Sequence, residues 1–318
     1  MAQTAGTFSS YDAVGNREDL TDMIYDISPT DTPVVSAIGR SKARNRLHEW
    51  QTDSLVAAST SNAVIEGDEV SNDTLQATTR VQNYTQLMDY VIQITSTQEA
   101  INHAGRGSEL EYQLEKGIKH LKNSVEATIL ANQAYSAGND TSARTMGGFA
   151  SYVTTNTSMD TTGTTAGADN NSTAGANART DGSSTRSFTE DLLLDVHQAC
   201  YAAGGNPSLL VVGPFNARRI AGFAGGSTRI DKSEDKKVYN AVDVYVDPFG
   251  ELKVVTSRFS RSRDAWLLDP EYAALAYLQE FKTENLAKTG HSTRKMLSAQ
   301  LTLEVGNEAA HGGVFDLA

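Results

Sequence analysis

Apolar side chains at Leu110, Leu114, Ile118, Leu121, Val125 and Ile129 recur at helical spacing and predict one long helix from Ser108 to about Tyr135. Ser108 and Glu111 make a capping-box pair at its start. At roughly 1.5 Å per residue such a helix is about 40 Å long, enough to act as a spine for the whole subunit. Gly117 lies inside it, costs up to about 1 kcal/mol of helix propensity, and marks a position of close packing. The opposite period is cleanest near the end of the chain. Leu297, Ala299, Leu301, Leu303 and Val305 alternate there with Ser298, Gln300, Thr302 and Glu304, which predicts a strand. Tyr90, Ile92 and Ile94 alternate in the same way.

Shorter signals fill the second half. Ser187 and Glu190 make another capping-box pair, opening a helix that Gly204-Gly205 closes. A strand over Leu209–Val212, a helix over Pro214–Phe223 and a hairpin turning at Asp247-Pro248-Phe249-Gly250 follow. Val242, Val244 and Val246 supply the alternation of its first strand, and Leu252 to Val255 the second. Short strands over 266–268 and 273–278 complete a set of elements without a regular βαβ repeat, so the fold class is α+β with mixed sheets.

Three stretches lack a core pattern. Residues 1–46 read as an N-terminal arm with one helix over Arg17–Ile27, ended by Ser28-Pro29 and Thr32-Pro33. From 53 to 83 the only sizeable aliphatic side chains are Leu55, Val56, Val64, Ile65, Val70, Leu75 and Val81, around a Glu66-Gly67-Asp68 turn. A hairpin so poor in core residues is marginal by itself; it lies on its own domain or reaches a neighbouring chain. Residues 154–187 are dominated by Thr, Gly, Asn, Ser, Asp and Ala, and are expected to form a flexible surface insertion.

Composition changes this picture mainly by exclusion. The hydrophobic fraction of 39% and a mean hydropathy of -0.38 suit a globular chain, and no apolar run nears the roughly 18 residues of a membrane span. No secretory signal opens the chain, and the single cysteine, Cys200, allows no internal disulfide. A formal net charge of -12 disfavours nucleic acid as a tightly held partner. No phosphate loop or nucleophile elbow is present, and the six histidines never fall at metal-ligand spacing. No catalytic residue, cofactor or metal is therefore expected. Charge is unevenly placed instead. Residues 53–111 hold nine Asp/Glu against two Arg, a net of -7, while 216–263 hold ten Lys/Arg against six Asp/Glu, a net of +4. If the acidic arm docks on a second copy, Glu66, Asp68, Glu69 and Asp73 are its candidate contacts, and Arg218, Arg219, Lys236 and Lys237 the receiving surface.

Four stretches carry a resemblance: Asn16 to Pro33, Leu209 to Arg219, Leu267 to Tyr277 (LLDPEYAALAY) and Leu303 to Asp316 (LEVGNEAAHGGVFD). They resemble the major capsid proteins of tailed phages, in particular one domain-of-unknown-function family of coat proteins with the HK-ninety-seven-like fold. The resemblance implies an arm (1–46), an extended loop (47–97), and a peripheral domain (98–187) with the spine helix. It further implies an axial domain (188–285) and a return strand to the peripheral domain (286–318). It also implies hexamers and pentamers of this chain in an icosahedral shell around double-stranded DNA, in a virion put together in the host cytoplasm with no part for a membrane. A separate scaffolding protein, a portal and a decoration protein are the implied partners. Some relatives weld subunits through a lysine on the extended loop; here no lysine lies between Lys42 and Lys116, so noncovalent contacts are expected. Beside this reading stand a bacterial nanocompartment shell and, in another class, a hydrolase using loop carboxylates or a phage decoration or adhesion protein.

Overall fold

The computed structural model describes residues 31–56, 58–67, 75–103, 105–160, 164, 177–223 and 244–318. The expected arm helix over 17–27 lies outside them. Pro33, expected to end a helix, begins one: α1 (Pro33–Ala37) has it in the first turn, where its missing N–H goes unneeded. Then come β1 (Gly39–Lys42), the hairpin strands β2 (Leu47–Thr52) and β3 (Thr79–Tyr84), and β4 (Gln86–Thr95), followed by the short α2 (Ser96–Ala100).

The spine is α3 (Glu109–Leu130), with Ser108 accepting a hydrogen bond from Glu111 N–H. Glu99 completes the cap by accepting from Ser108 Oγ and Leu110 N–H. The stripe is as expected: Leu121, Val125 and Ile129 are fully buried, with Leu110, Leu114 and Ile118 packed beside them. The helix ends five residues before Tyr135, because Ala131 turns to extended backbone against Gly148, where a Cβ would sit 2.5 Å from the Ala131 carbonyl oxygen.

Beyond it lie β5 (Thr157–Ser158), α4 (Glu190–Ala202), β6 (Leu209–Val212), α5 (Pro214–Ile220) and the hairpin β7 (Val244–Asp247) with β8 (Gly250–Thr256). Then follow β9 (Ala265–Leu268), β10 (Ala273–Asn285), β11 (Ser292–Val305) and β12 (Gly312–Val314). Two sequence expectations fail locally here. Thr189, not Ser187, caps α4, and Glu190 is used otherwise, accepting from the Tyr245 hydroxyl at 2.7 Å. In β7 the buried side chain is accordingly Tyr245, while Val246 is exposed.

Three sheets result, in the orders β1-β10-β11-β4, β5-β12-β9-β6-β8-β7 and β2-β3. The long β11 is interior to the first, so both of its faces are covered from Leu297 to Leu303, polar Ser298, Gln300 and Thr302 included. One core joins α3 to this sheet through Leu121, Val125, Ile129, Leu275, Leu301 and Leu303. A second gathers α4 on β6, β8 and β9 through Leu193, Val196, Leu210, Leu252 and Leu267.

The surface insertion expected over 154–187 is corrected at both described ends. β5 pairs with β12, Asn156 is buried, and Arg179 is buried against Asp264 (2.7 Å), with its guanidinium 3.9 Å from the Phe315 ring centre. Asp316 accepts from Gly182 N–H (2.8 Å) and from Arg263 (2.9 Å), and Arg261 pairs with Asp181. Ion pairs and hydrogen bonds to one another and to backbone tie these ends to the body, where apolar counting expects mobility.

Candidate intersubunit surfaces

The feature that most needs a partner is the arm formed by β2 and β3. Its root is firmly seated. Trp50 donates from its indole nitrogen to the Val305 carbonyl (2.7 Å) and packs on Tyr152. His48 Nε2 lies 3.1 Å from Glu304 Oε2, and the Ser41 hydroxyl donates to the same oxygen at 2.5 Å. Hydrogen bonding from His48, helped by Ser41 and opposed by burial, holds the Glu304 carboxyl below its ordinary range. Asn83, fully buried, donates to the Leu303 carbonyl (2.7 Å) and accepts from Gly147 N–H (2.9 Å). The strand HEWQ thus grips the body with its even-numbered residues, His48 and Trp50, while Glu49 and Gln51 face solvent.

Away from that root the burial ends. Leu55 is 98% exposed, Val56 75%, Val64 90%, Ile65 77% and Leu75 91%, and between Asp53 and Glu66 the described residues form no strand. Five aliphatic side chains in water on one projection are an unfilled contact surface, since scattered single exposures are ordinary but such clusters mark interaction sites. A cleft of about 570 Å³ under the arm, lined by Leu55, Val81, Tyr152, Val305 and Glu308 among others, continues that surface onto the body.

Of the expected contact residues, Glu66 is exposed at the tip turn, whose Gly67 has φ +88°. Asp68, Glu69 and Asp73 lie outside the described residues, as do Lys236 and Lys237. Arg218 and Arg219 are exposed in the last turn of α5, with Arg219 5.3 Å from the Phe215 ring centre. No ion pair joins Glu66 to either arginine within the chain. Sequence reasoning missed the His48–Glu304 root; an aromatic at every second position of a polar strand was its available signal.

Among the described residues no three His, Cys, Asp or Glu side chains gather as a metal site needs. The buried His197–Asp247 pair, 2.5 Å apart, pins the β7–β8 turn to α4, for Asp247 also accepts from Phe249 and Gly250 N–H (2.9 Å each).

A spine helix beneath a mixed sheet, a second sheet-and-helix lobe and a projecting arm define the subunit class of phage capsid shells. The capsid subunit of cyanophage A-1(L) is similar in fold, with a TM-score of 0.67 at 10% identity over 97% of this chain and 98% of that one. So is the holo-SrpI encapsulin of Synechococcus elongatus PCC 7942, at 0.56 and 8% identity over 95% and 92%. Fold alone therefore fits both a phage shell and a nanocompartment shell. Sequence separates them: the SU10 major capsid protein model matches residues 3–318, and the chain belongs to that family of tailed-phage head subunits. The major capsid protein of Escherichia phage Phieco32 is 27% identical over 344 residues, covering 98% of this chain and 97% of that protein.

Proposed function

We propose that copies of this chain close into hexamers and pentamers of an icosahedral head that encloses double-stranded DNA, each arm finishing its burial on the next copy. The observation that carries this is the arm itself, seated at Trp50 and His48 but exposing Leu55, Val64 and Leu75 by nine-tenths or more. A heterologous contact of this kind closes into rings, and many overlapping arms make individually weak contacts act together. In this reading the axial and peripheral domains share their cores: one gathers residues of 188–267 with Val314 and Leu317, while Leu209, Val211, Trp266, Leu268 and Leu275 of the axial span join the other. The acidic tip around Glu66 would meet the basic face holding Arg218 and Arg219, giving register more than affinity. Scaffolding, portal and decoration proteins would be separate chains, and the contacts noncovalent.

The test is size-exclusion chromatography with negative-stain microscopy of the expressed chain, and nuclease digestion of native particles. Hexamers or shells, with DNA protected inside the particle, are expected. A monomer at high concentration, or particles that protect protein cargo and no DNA, would refute it. Glu substitutions at Arg218 and Arg219 that leave assembly unchanged would remove the docking face alone.

A further inference from the structure

Four cations alternate along one edge of the subunit: Arg40 and Lys42 in β1, then Arg44 and Arg46 where the chain leaves it. All four are exposed. Ser41 and Ala43, between the first three, point the other way, while Asn45 is exposed. Ser41 bonds Glu304 inside, and Ala43 is buried, its N–H donating to the Tyr277 carbonyl at 3.0 Å. β1 is the outer strand of its sheet, so among the described residues nothing pairs with its far edge. Among the described residues none of the four forms an ion pair, and Arg40 overhangs the Tyr277 ring at 5.9 Å. Lys122 of α3 shares a cleft with Arg40, and among the described residues Glu280 is the one carboxylate lining it.

A chain of net charge -12 that sets two exposed cations on an edge strand and two more just past its end, none in an ion pair among the described residues, presents them to an anion outside itself. Side chains two apart on a strand recur about every 6.6 Å on one face, as Arg40 and Lys42 do, and Arg44 and Arg46 carry the exposed cationic row past the end of β1. An exposed row of cations matches a polymer of regular charge. The acidic arm of a second copy does not offer that, with Glu66, Asp68, Glu69 and Asp73 at uneven intervals. A nucleic-acid backbone does, and Lys and Arg stems adapt to successive phosphates.

We propose that Arg40, Lys42, Arg44 and Arg46 form a phosphate-backbone contact through which the subunit touches the DNA it encloses, weakly and without regard to sequence. This rests on the shell reading above. A local ridge in an otherwise acidic wall lets the duplex lie close without binding tightly over the whole surface.

The experiment titrates unassembled full-length subunits with a fluorescent 30-base-pair duplex across a salt series, and follows assembly in parallel. Wild type is expected to bind, and R40Q/K42Q/R44Q/R46Q to bind more weakly, with a log K against log salt slope shallower by up to about 3.6. The charge-keeping R40K/R44K/R46K is expected to bind as wild type. Both variants are expected to assemble normally, since all four side chains are exposed and make no ion pair among the described residues. Equal binding by wild type and the glutamine variant would overturn the proposal. So would folded glutamine subunits that keep DNA binding but fail to assemble, which would give the ridge to the arm of a second copy. If wild type forms no shells, the shell reading fails instead, whatever the duplex does.

Discussion

At the residue scale, the buried charges hold together segments distant in sequence. Arg179 is fully buried, and its neighbours Asp264 and Asp316 are as well, so each relies on the others for compensation that water cannot give. Arg179→Met leaves Asp264 with only the longer Arg261 contact at 3.5 Å, and is expected to cost about 3–5 kcal/mol in urea unfolding of the subunit. Breaking the exposed Lys119–Glu115 pair of α3 by Glu115→Ala should cost no more than about 0.5 kcal/mol in the same measurement. His311 gives the pH dependence. Its Nδ1 accepts from Asp269 N–H (3.1 Å), Phe149 packs edge-on, and burial pushes its pKa down to about 4. The unfolded chain takes up this proton near pH 6.5 and the folded one only near 4, so stability falls as pH drops through that window and the loss is complete below it. Unfolding free energy measured from pH 7 to 4 should show this decline, and His311→Gln should flatten it.

At the scale of elements, α3 shows how packing overrides propensity. A Cβ on Gly117 would lie 2.8 Å from Leu297 Cδ1 and 2.8 Å from the Tyr90 ring, where the helix crosses β11 and β4. Gly117→Ala gains up to about 1 kcal/mol of helix propensity but meets an overpacking cost of about 1–3 kcal/mol. The melting temperature of the variant is therefore expected to fall, and a rise would show the crossing to be loose. The close approach was legible from a glycine in a strong helical stripe, as were β4, β6, β8, β9 and β11 from their periods. What escaped was decided by partners far along the chain. Glu190 left its expected cap for Tyr245, Gly148 ended α3 by crowding its last carbonyls, and β10 runs on to Asn285 because β11 pairs with it, although its later residues are polar. Periodicity reports which face is buried; the end of α3 and the length of β10 change no face, whereas Tyr245, bonded to Glu190, is buried in β7 in place of Val246.

At the scale of the whole molecule, the subunit is a well-packed body carrying an arm that is complete only at its root. The marginal hairpin was visible in the sequence through its few aliphatic side chains, and so was the question of where it lies; the long-range contacts that seat Trp50 and His48 on β11 were not. Those contacts separate two outcomes that would otherwise be confused. Changes at the tip should spare the fold, because Val64 and Ile65 already sit in water, at 90% and 77% exposure. Changes at the root should not, because Trp50 fills space between Tyr152 and β11. Val64→Asp with Ile65→Asp is thus expected to give subunits whose thermal unfolding lies within about 0.5 kcal/mol of wild type. The same subunits should fail to form hexamers or shells, since the double change puts two charges where a neighbour's apolar surface must be covered. Trp50→Ala should lower the subunit's own stability by about 3 kcal/mol or more, and impair assembly through the fold. Chromatography, microscopy and calorimetry on the three proteins together decide the matter. Tip variants that assemble as wild type would mean that the arm ends in solvent, and that the shell is held by other faces of the body.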